Sequence, residues 1–569
     1  MDKSCEQNIR RFLWGASTSS YQVEGEITNN DWDYFTTSED IRRRLNAMTK
    51  PNIFYKGVSQ VAMKSAGQAV KEWQPEYYCK DFELASQLGL NSFRISLEWA
   101  RIEPERRQWD QRAIEHYREM IRSIRDHGLA PIVTLNHLTL PLWVLTPPTR
   151  FTKSPGQNLL PSPLRDLPIG EPVSTDPYWK SLRGWENHET VEAFITFVAT
   201  IVQDLKDQID YWITFAEPVT SIMGSGYIAG LWPPGFLLDG KRAKKVLHNL
   251  IEAHVLAYEK IKELDDVDSD ADGKSSVVGF SHAMTEVSPA KSKRRIPKLT
   301  LSSNVEASKN FSYFINDYLI NALVNGEEDL NYLETLERHN TDSNNFKIHE
   351  NWINKTDFIG VNYYRRLHVY YSNIVGLSSA KYMGGAFIND LHTKNEQPHS
   401  ILNDLGWEIY PKGLFNIITH ITKEWNKVPI FITENGIADK SDKYRAQFII
   451  SHLKQIRLAI DKGSNVIGYL HWSLMDNYEW LDNYRPEAKF GLFYIDRSNS
   501  NLPRIITKGA EAYRFIIEES SPQNTNGTVS DLALLKAENR FGTFSPNGLT
   551  LQDSIQSHNV REVIERPSC

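Results

Sequence analysis

Short apolar runs and longer amphipathic stretches take turns along most of this chain. "NSFRISLEW" reads as a strand. "RAIEHYREMIRSIRDHG" follows it, with apolar residues at helical spacing and Gly128 as the stop. "APIVTLNH" is a short apolar run of the kind that forms a buried strand. "ETVEAFITFVATIVQDLKDQI" is a long amphipathic helix that delivers the chain to "DYWITFAEP". Further strands are "SVVGFSH", "TDFIGVNYY", "VPIFITENG" and "NVIGYLHWS", and the helix "YRAQFIISHLKQIRLAIDKG" separates the last two. With "RFLWGAST" near the start, the strand candidates number eight. Strands alternating with helices predict a parallel α/β fold, and eight of them predict a closed (β/α)8 barrel, the TIM-barrel architecture.

Polar residues interrupt this pattern at one kind of place. Gln22, Arg94, His137, Glu217, Asn362, Glu434 and Trp472 all stand at or just beyond the C-terminal ends of the predicted strands. In such a barrel that end carries the active site. Stretches near 39–72, 146–183, 283–310 and 372–400 are rich in Pro, Ser, Asn, Lys and Arg, and are expected to be loop insertions. "DDVDSDADGKSS" reads as a solvated acidic loop. The expected organisation is a single barrel over 1–519 and a polar C-terminal extension over 520–569. That extension has weak helical patches and is expected to be ordered only where it docks.

Composition narrows the class. The net charge of -7 gives the chain no pull toward nucleic acid or an anionic membrane. No segment approaches the roughly 20 apolar residues that span a bilayer. The N-terminal "MDKSCEQNIRRFLWGAS" holds no signal-peptide core, and three scattered cysteines without CxxC spacing argue against a disulfide framework or a structural zinc site. A cytoplasmic location is therefore expected. The 15 Trp, 25 Tyr and 24 Phe fill a core first, and they also suit a pocket that stacks on flat apolar faces such as those of sugar rings.

Two strand ends carry a carboxylate directly after an apolar run: "TFAEP" with Glu217 and "FITENG" with Glu434. That is a poor place for an ion unless something pairs with it or needs it. Two independent caps or salt bridges would account for them singly. Together at one barrel mouth they fit paired acid–base work. Hydrolysis of a glycosidic bond with retention needs such a pair about 5–5.5 Å apart. One carboxylate attacks the anomeric carbon; the other protonates the leaving oxygen and then activates water.

From about Phe12 to about Ile517 the chain resembles the family 1 glycoside hydrolases, the β-glucosidase/β-galactosidase group. "FLWGASTSSYQVEG" is similar to that family's N-terminal signature, and "FRISLEWARI", "TLNHLTLPLW", "GYIAGLWPPG", "DFIGVNYYRR", "GWEIYPKGL", "ITENG" and "WSLMDNYEW" follow in family order. "SLEWARIEP" and "LTLPLW" look closest to the archaeal type. The resemblance implies Glu434 as nucleophile and Glu217 as acid/base. It implies that Arg94 and Tyr364 flank Glu434 and that Asn362 supports the pair. It implies Gln22, His137, Glu479 and Trp480 as partners of the sugar hydroxyls, Trp472 as the floor under the ring, and Phe490 as the wall near C6. The implied partner is a small β-glycoside or oligosaccharide, with no cofactor, no metal, no nucleic acid and no membrane. A homo-oligomer is left open. Glu479 in "MDNYEW" would repel a phosphate, which favours unphosphorylated hexosides.

One departure matters. The family usually has Asn before the acid/base Glu, and here the residue is Ala216. That Asn would bond the sugar 2-OH, and Ala cannot. The chain could be a slower enzyme with a replacement donor, an enzyme for sugars altered at C2, or a catalytically weak carbohydrate-binding protein. A segment slightly longer than usual between Trp480 and Phe490 also bears on where Phe490 lies. The expected activity is retaining hydrolysis of terminal β-linked glucose, galactose or fucose. A transglycosylase using the same pair stands as an alternative.

Overall fold

The computed structural model describes residues 11–39, 64–145, 180–236, 239–271, 273–290, 299–329, 346–369, 401–520 and 527–544. Eight strands form its centre: β1 Leu13–Ser17, β2 Ser92–Ser96, β3 Ala130–Asn136, β4 Tyr211–Ala216, β5 Val277–Ala283, β6 Phe358–Tyr363, β7 Ile430–Asn435 and β8 Val466–Trp472. They are the eight runs read from the sequence. Each pairs in parallel with its chain-order neighbour, and β8 pairs with β1 to close the barrel.

Strand alternation sorts the side chains into two layers. On β4, Trp212 Nε1 donates to Asp265 and the Thr214 hydroxyl meets His254, so even positions face the helices. Tyr211 and Ile213 face inward, where they pack with Leu13, Ile132, Phe358 and Leu470 as a plug in the barrel interior. The helices bury one stripe against the outer layer. Helix His188–Leu205 turns in Val191, Phe194, Val198, Ile201, Val202 and Leu205, at the i, i+3, i+4 spacing of one face. The Asn187 side chain caps its first turn. Asp110 caps helix Gln111–Asp126 in the same way, and Gly128 ends it at φ +76.

The acidic loop after helix Gly240–Leu264 is largely exposed. Over 283–310, read from composition as loop, the structure instead places a strand at Glu286–Pro289 and a helix at Leu299–Ser312. Asn304 explains part of the difference. It is buried, and its amide donates to Ala290 O, so a residue type counted as loop-forming serves as a packing contact. The insertion expected at 372–400, and most of those at 146–183 and 39–72, lie outside the described residues, as does the chain beyond 544. Helix Asp531–Phe541 packs on helices Arg445–Asp461 and Lys508–Glu519 and buries Ala533, Leu534 and Ala537. Just before it, Gly527 O accepts from Trp14 Nε1 of β1 at 2.8 Å. Among the described residues no helix is long and apolar enough to cross a membrane.

Candidate active site

Glu434 lies next to last in β7 and is 4% exposed. Arg94 Nη1 from β2 donates to its Oε1 at 2.6 Å, and the Tyr364 hydroxyl, just past β6, donates to its Oε2 at 2.7 Å. Arg94 is itself fully buried and is aimed by Thr134 Oγ1, which accepts from Nε at 2.9 Å. The backbone permits this crowding because residue 436 is glycine. A Cβ there would stand 2.0 Å from Trp472 O, closer than any side chain could come. Burial pushes the Glu434 carboxyl up to about 7, with the Glu217 charge adding to it; Arg94 and the Tyr364 hydroxyl pull the other way. Arg94 and Tyr364 therefore stand where the resemblance implies, one on each Glu434 oxygen, and desolvation outweighs their pull.

Glu217 follows β4 directly and is half-buried. Its backbone is left-handed, φ 50 and ψ 49, and it opens a wide π-helical segment, Pro218–Ile228. Its backbone N–H donates to Ser281 O on β5 at 2.7 Å, which anchors it to the barrel. Asn362 Nδ2 donates to Glu217 Oε1 at 2.9 Å, and Ser221 Oγ donates to Oε2 at 2.5 Å. The Asn362 amide cannot turn over, because Ser281 Oγ and Thr433 Oγ1 both donate to its Oδ1, at 2.7 and 2.8 Å. Asn362 lies on β6 opposite Glu434 in register, so one amide joins the two carboxylate strands. Ala216, fully buried, offers Glu217 no polar neighbour.

The remaining residues singled out in the sequence gather beside this pair. Trp472 ends β8 and its Nε1 donates to Glu479 Oε1 at 3.4 Å. The His137 ring lies 5.9 Å from Trp472 and 6.3 Å from Trp480, centroid to centroid. Gln22 sits in the helical turn Ser20–Val23 after β1, and its Nε2 donates to Tyr478 O at 2.6 Å. Trp480 stacks on Tyr21 and meets Trp32 edge-on. Phe490 packs with Trp472 and Ala438, its ring 6.1 Å from that of Tyr364. Gln22 Oε1, His137 Nδ1 and Arg94 Nη2 are buried without a partner among the described residues. Burial, then the Arg94 charge, hold His137 well below its usual range, so its ring is neutral. Burial raises Glu479 well above the usual carboxyl range; Trp472 opposes this, and Asp482, Glu434 and Asp476 add to it.

Several contributors escaped sequence reasoning. Ser221 was signalled by its position four residues after Glu217 in a helical stretch, and Thr433 by standing directly before Glu434. Trp407, packed 6.0 Å from Phe490, belongs to the "GWEIYPKGL" block to which no role was given. Thr134 and Ser281 had no signal, since they look like ordinary strand residues. Among the described residues, the one group of acids close enough to share a metal ion is Asp210, Asp268 and Asp270. It stands at the N-terminal end of β4, away from the mouth that holds Glu217 and Glu434.

A parallel eight-stranded barrel with two carboxylates, a cation and stacked aromatics at its C-terminal mouth has the layout of a glycosidase. Comparison with known proteins agrees. The model for "Glycosyl hydrolase family 1" matches residues 6–146 and 179–522, and the chain belongs to that family. It is 29% identical over 556 residues to a "Beta-galactosidase" of Pyrococcus woesei, covering 89% of this chain and 96% of that one. It is also 29% identical over 479 residues to a "Beta-galactosidase" of Saccharolobus solfataricus, covering 79% and 83%. Among solved structures it is similar to the "beta-glycosidase from Pyrococcus horikoshii", at 25% identity and TM-score 0.65, covering 95% of this chain and 98% of that one. The protein is a glycoside hydrolase of the β-glycosidase type.

Proposed function

We propose that this enzyme hydrolyses terminal, unphosphorylated β-D-glucosides, galactosides or fucosides with retention, using Glu434 as nucleophile and Glu217 as acid/base. The observation that carries the assignment is the asymmetry of their partners. Glu434 has a guanidinium on one oxygen and a phenol on the other, which favour a charged nucleophile. Among the described residues the hydrogen-bond partners of the Glu217 carboxylate are neutral, an amide and a hydroxyl, which suit a group that must gain and lose a proton. The Glu434 carboxylate attacks the anomeric carbon as the bond to the aglycone oxygen breaks, and Glu217 gives that oxygen its proton. Glu217 then takes a proton from water, whose oxygen displaces Glu434 from the anomeric carbon. The like charges cooperate in this cycle. When Glu217 carries the proton, one cause of the raised Glu434 value disappears, which favours the charged nucleophile as its partner becomes an acid.

The glycone reading rests on orphaned polar atoms. Gln22 Oε1, His137 Nδ1 and Arg94 Nη2 are costly to bury unless a ligand pairs them. Sugar hydroxyls are suited to that, and Trp472 offers the apolar face on which a ring stacks. A phosphate is disfavoured beside Glu479, because Asp482, Glu434 and Asp476 stand near it as acidic neighbours. Ala216 removes one family contact to the 2-OH, so ordinary glucosides are expected to turn over slowly. Chromogenic β-glycosides, including 2-deoxy and 2-acetamido forms, assayed on wild type, Glu434→Gln and Ala216→Asn, test this reading. The Gln variant should lose at least about a thousandfold, the order expected for removing a nucleophile. The Asn variant should gain on sugars bearing a free 2-OH. Equal rates in wild type and Glu434→Gln would overturn the assignment.

A further inference from the structure

Ser221 is 5% exposed, yet its hydroxyl does not behave as a buried helical serine ordinarily does. Such a hydroxyl bonds back to the carbonyl one turn earlier. The half-buried Ser225 in the same segment bonds back in this way, donating to Thr220 O five residues earlier at 3.0 Å. For Ser221 the carbonyl four residues back is Glu217 O, which already takes the backbone N–H groups of Ser221 and Ile222 at 3.1 and 3.3 Å. The hydroxyl goes instead to the Glu217 carboxylate. The wide π-helical turn that starts at Glu217 permits this, since it brings residue 221 back under the side chain of residue 217.

The two partners of Glu217 differ in one chemical respect. Asn362 can only donate, because Ser281 and Thr433 occupy its carbonyl oxygen. It therefore serves the carboxylate form and gives nothing extra to the acid. A serine hydroxyl both donates and accepts. We propose that Ser221 is a positioning residue that reverses its hydrogen bond with Glu217 during the cycle, accepting from the acid and donating to the carboxylate.

The inference rests on Glu217 being the acid/base. In the first step the Glu217 O–H turns about its C–O bond from Ser221 to the aglycone oxygen and breaks, its proton passes to that oxygen, the bond from the anomeric carbon to that oxygen breaks with its electron pair leaving on the oxygen, and the Glu434–carbon bond forms. The Ser221 hydroxyl then rotates, keeps its own proton and donates it to the new carboxylate. In the second step Glu217 takes a proton from water as the water oxygen bonds the anomeric carbon and Glu434 departs. Through both steps the carboxyl keeps one orientation.

An isosteric pair tests this, because Ser221→Thr and Ser221→Val differ only by a hydroxyl against a methyl. Each is assayed beside wild type with a 2,4-dinitrophenyl β-glycoside, whose leaving group needs no proton, and with an alkyl β-glycoside, whose leaving group does. Relative to wild type, Ser221→Val should lose about tenfold or more in kcat/KM on the alkyl substrate beyond any loss on the dinitrophenyl one, a fraction of what general acid catalysis contributes. Ser221→Thr should keep the ratio of the two substrates within about threefold of wild type. The same ratio in Thr and Val variants, whatever their absolute rates, overturns the proposal, since packing alone would affect both alike. A wild-type protein inactive on every glycoside would instead count against the glycosidase reading.

Discussion

Tyr364→Phe isolates one hydrogen bond at Glu434, the proposed nucleophile. The change removes the hydroxyl 2.7 Å from Glu434 Oε2 and leaves the ring, with its edge-on contacts to Trp407 and Phe490. A hydrogen bond to a charged group is worth about 1.5–3 kcal/mol. The donor favours the carboxylate, so its loss should raise the Glu434 value from about 7 by about 1–2 units. The acid limb of kcat/KM reports the free enzyme, so that limb should move up by the same amount in an aryl β-glycoside assay across pH 5–10. Stability gives a second reading of the same shift. Glu434 is about 7 in the folded chain against 4.5 as its ordinary value, so the folded form holds its proton more tightly. Its contribution is intact below pH 4.5 and is lost as pH rises through 7, at a cost of about 3 kcal/mol. Glu434→Gln carries no such cost, so its stability relative to wild type should improve between pH 4.5 and pH 8. An acid limb that stays put or moves down in Tyr364→Phe would refute the reasoning, as would a stability difference that ignores pH.

Two further outcomes follow from contacts outside the carboxylate pair. Glu328 accepts from His248 Nδ1 and His349 Nε2, both at 2.8 Å; burial pushes its carboxyl up, but those two imidazoles outweigh it and hold it at about 2. Its stabilisation is present above pH 4.5 and lost as pH falls through 2, so Glu328→Gln should cost about 3 kcal/mol in urea unfolding at pH 6 and much less at pH 3; a pH-independent difference contradicts this. Gly436→Ala would place a Cβ 2.0 Å from Trp472 O, between β7 and the end of β8, and should lower kcat/KM more than a hundredfold or stop the chain from folding; wild-type activity would show that the close approach is not needed.

The barrel was legible because its signal is local. Eight β-rich runs, each a few residues long, and amphipathic helices between them need no knowledge of what lies far away. The boundaries show the same thing: helix Gln111–Asp126 begins after its Asp110 cap and stops before Gly128, both readable on the spot. What composition misread was 283–310, where Asn304 is buried by contacts that no neighbouring residue announces. The site divided along the same line. Glu217 and Glu434 stand out against the apolar runs they end. Thr134, Ser281 and Thr433 do not, because their importance lies in bonds to Arg94 and Asn362, and those side chains arrive from other strands.

That difference decides how far roles can be read without the structure. Two glutamates at strand ends are equivalent as sequence, and only their surroundings separate them. Arg94 reaches Glu434 across 340 residues, and Asn362 reaches Glu217 across 145. With Ala216 silent, the second donor on Glu217 comes from Ser221, four residues ahead. Closing the barrel therefore makes one carboxylate answer to a fixed positive charge and the other to partners without charge. Such unlike surroundings are the condition under which two identical side chains can do opposite work.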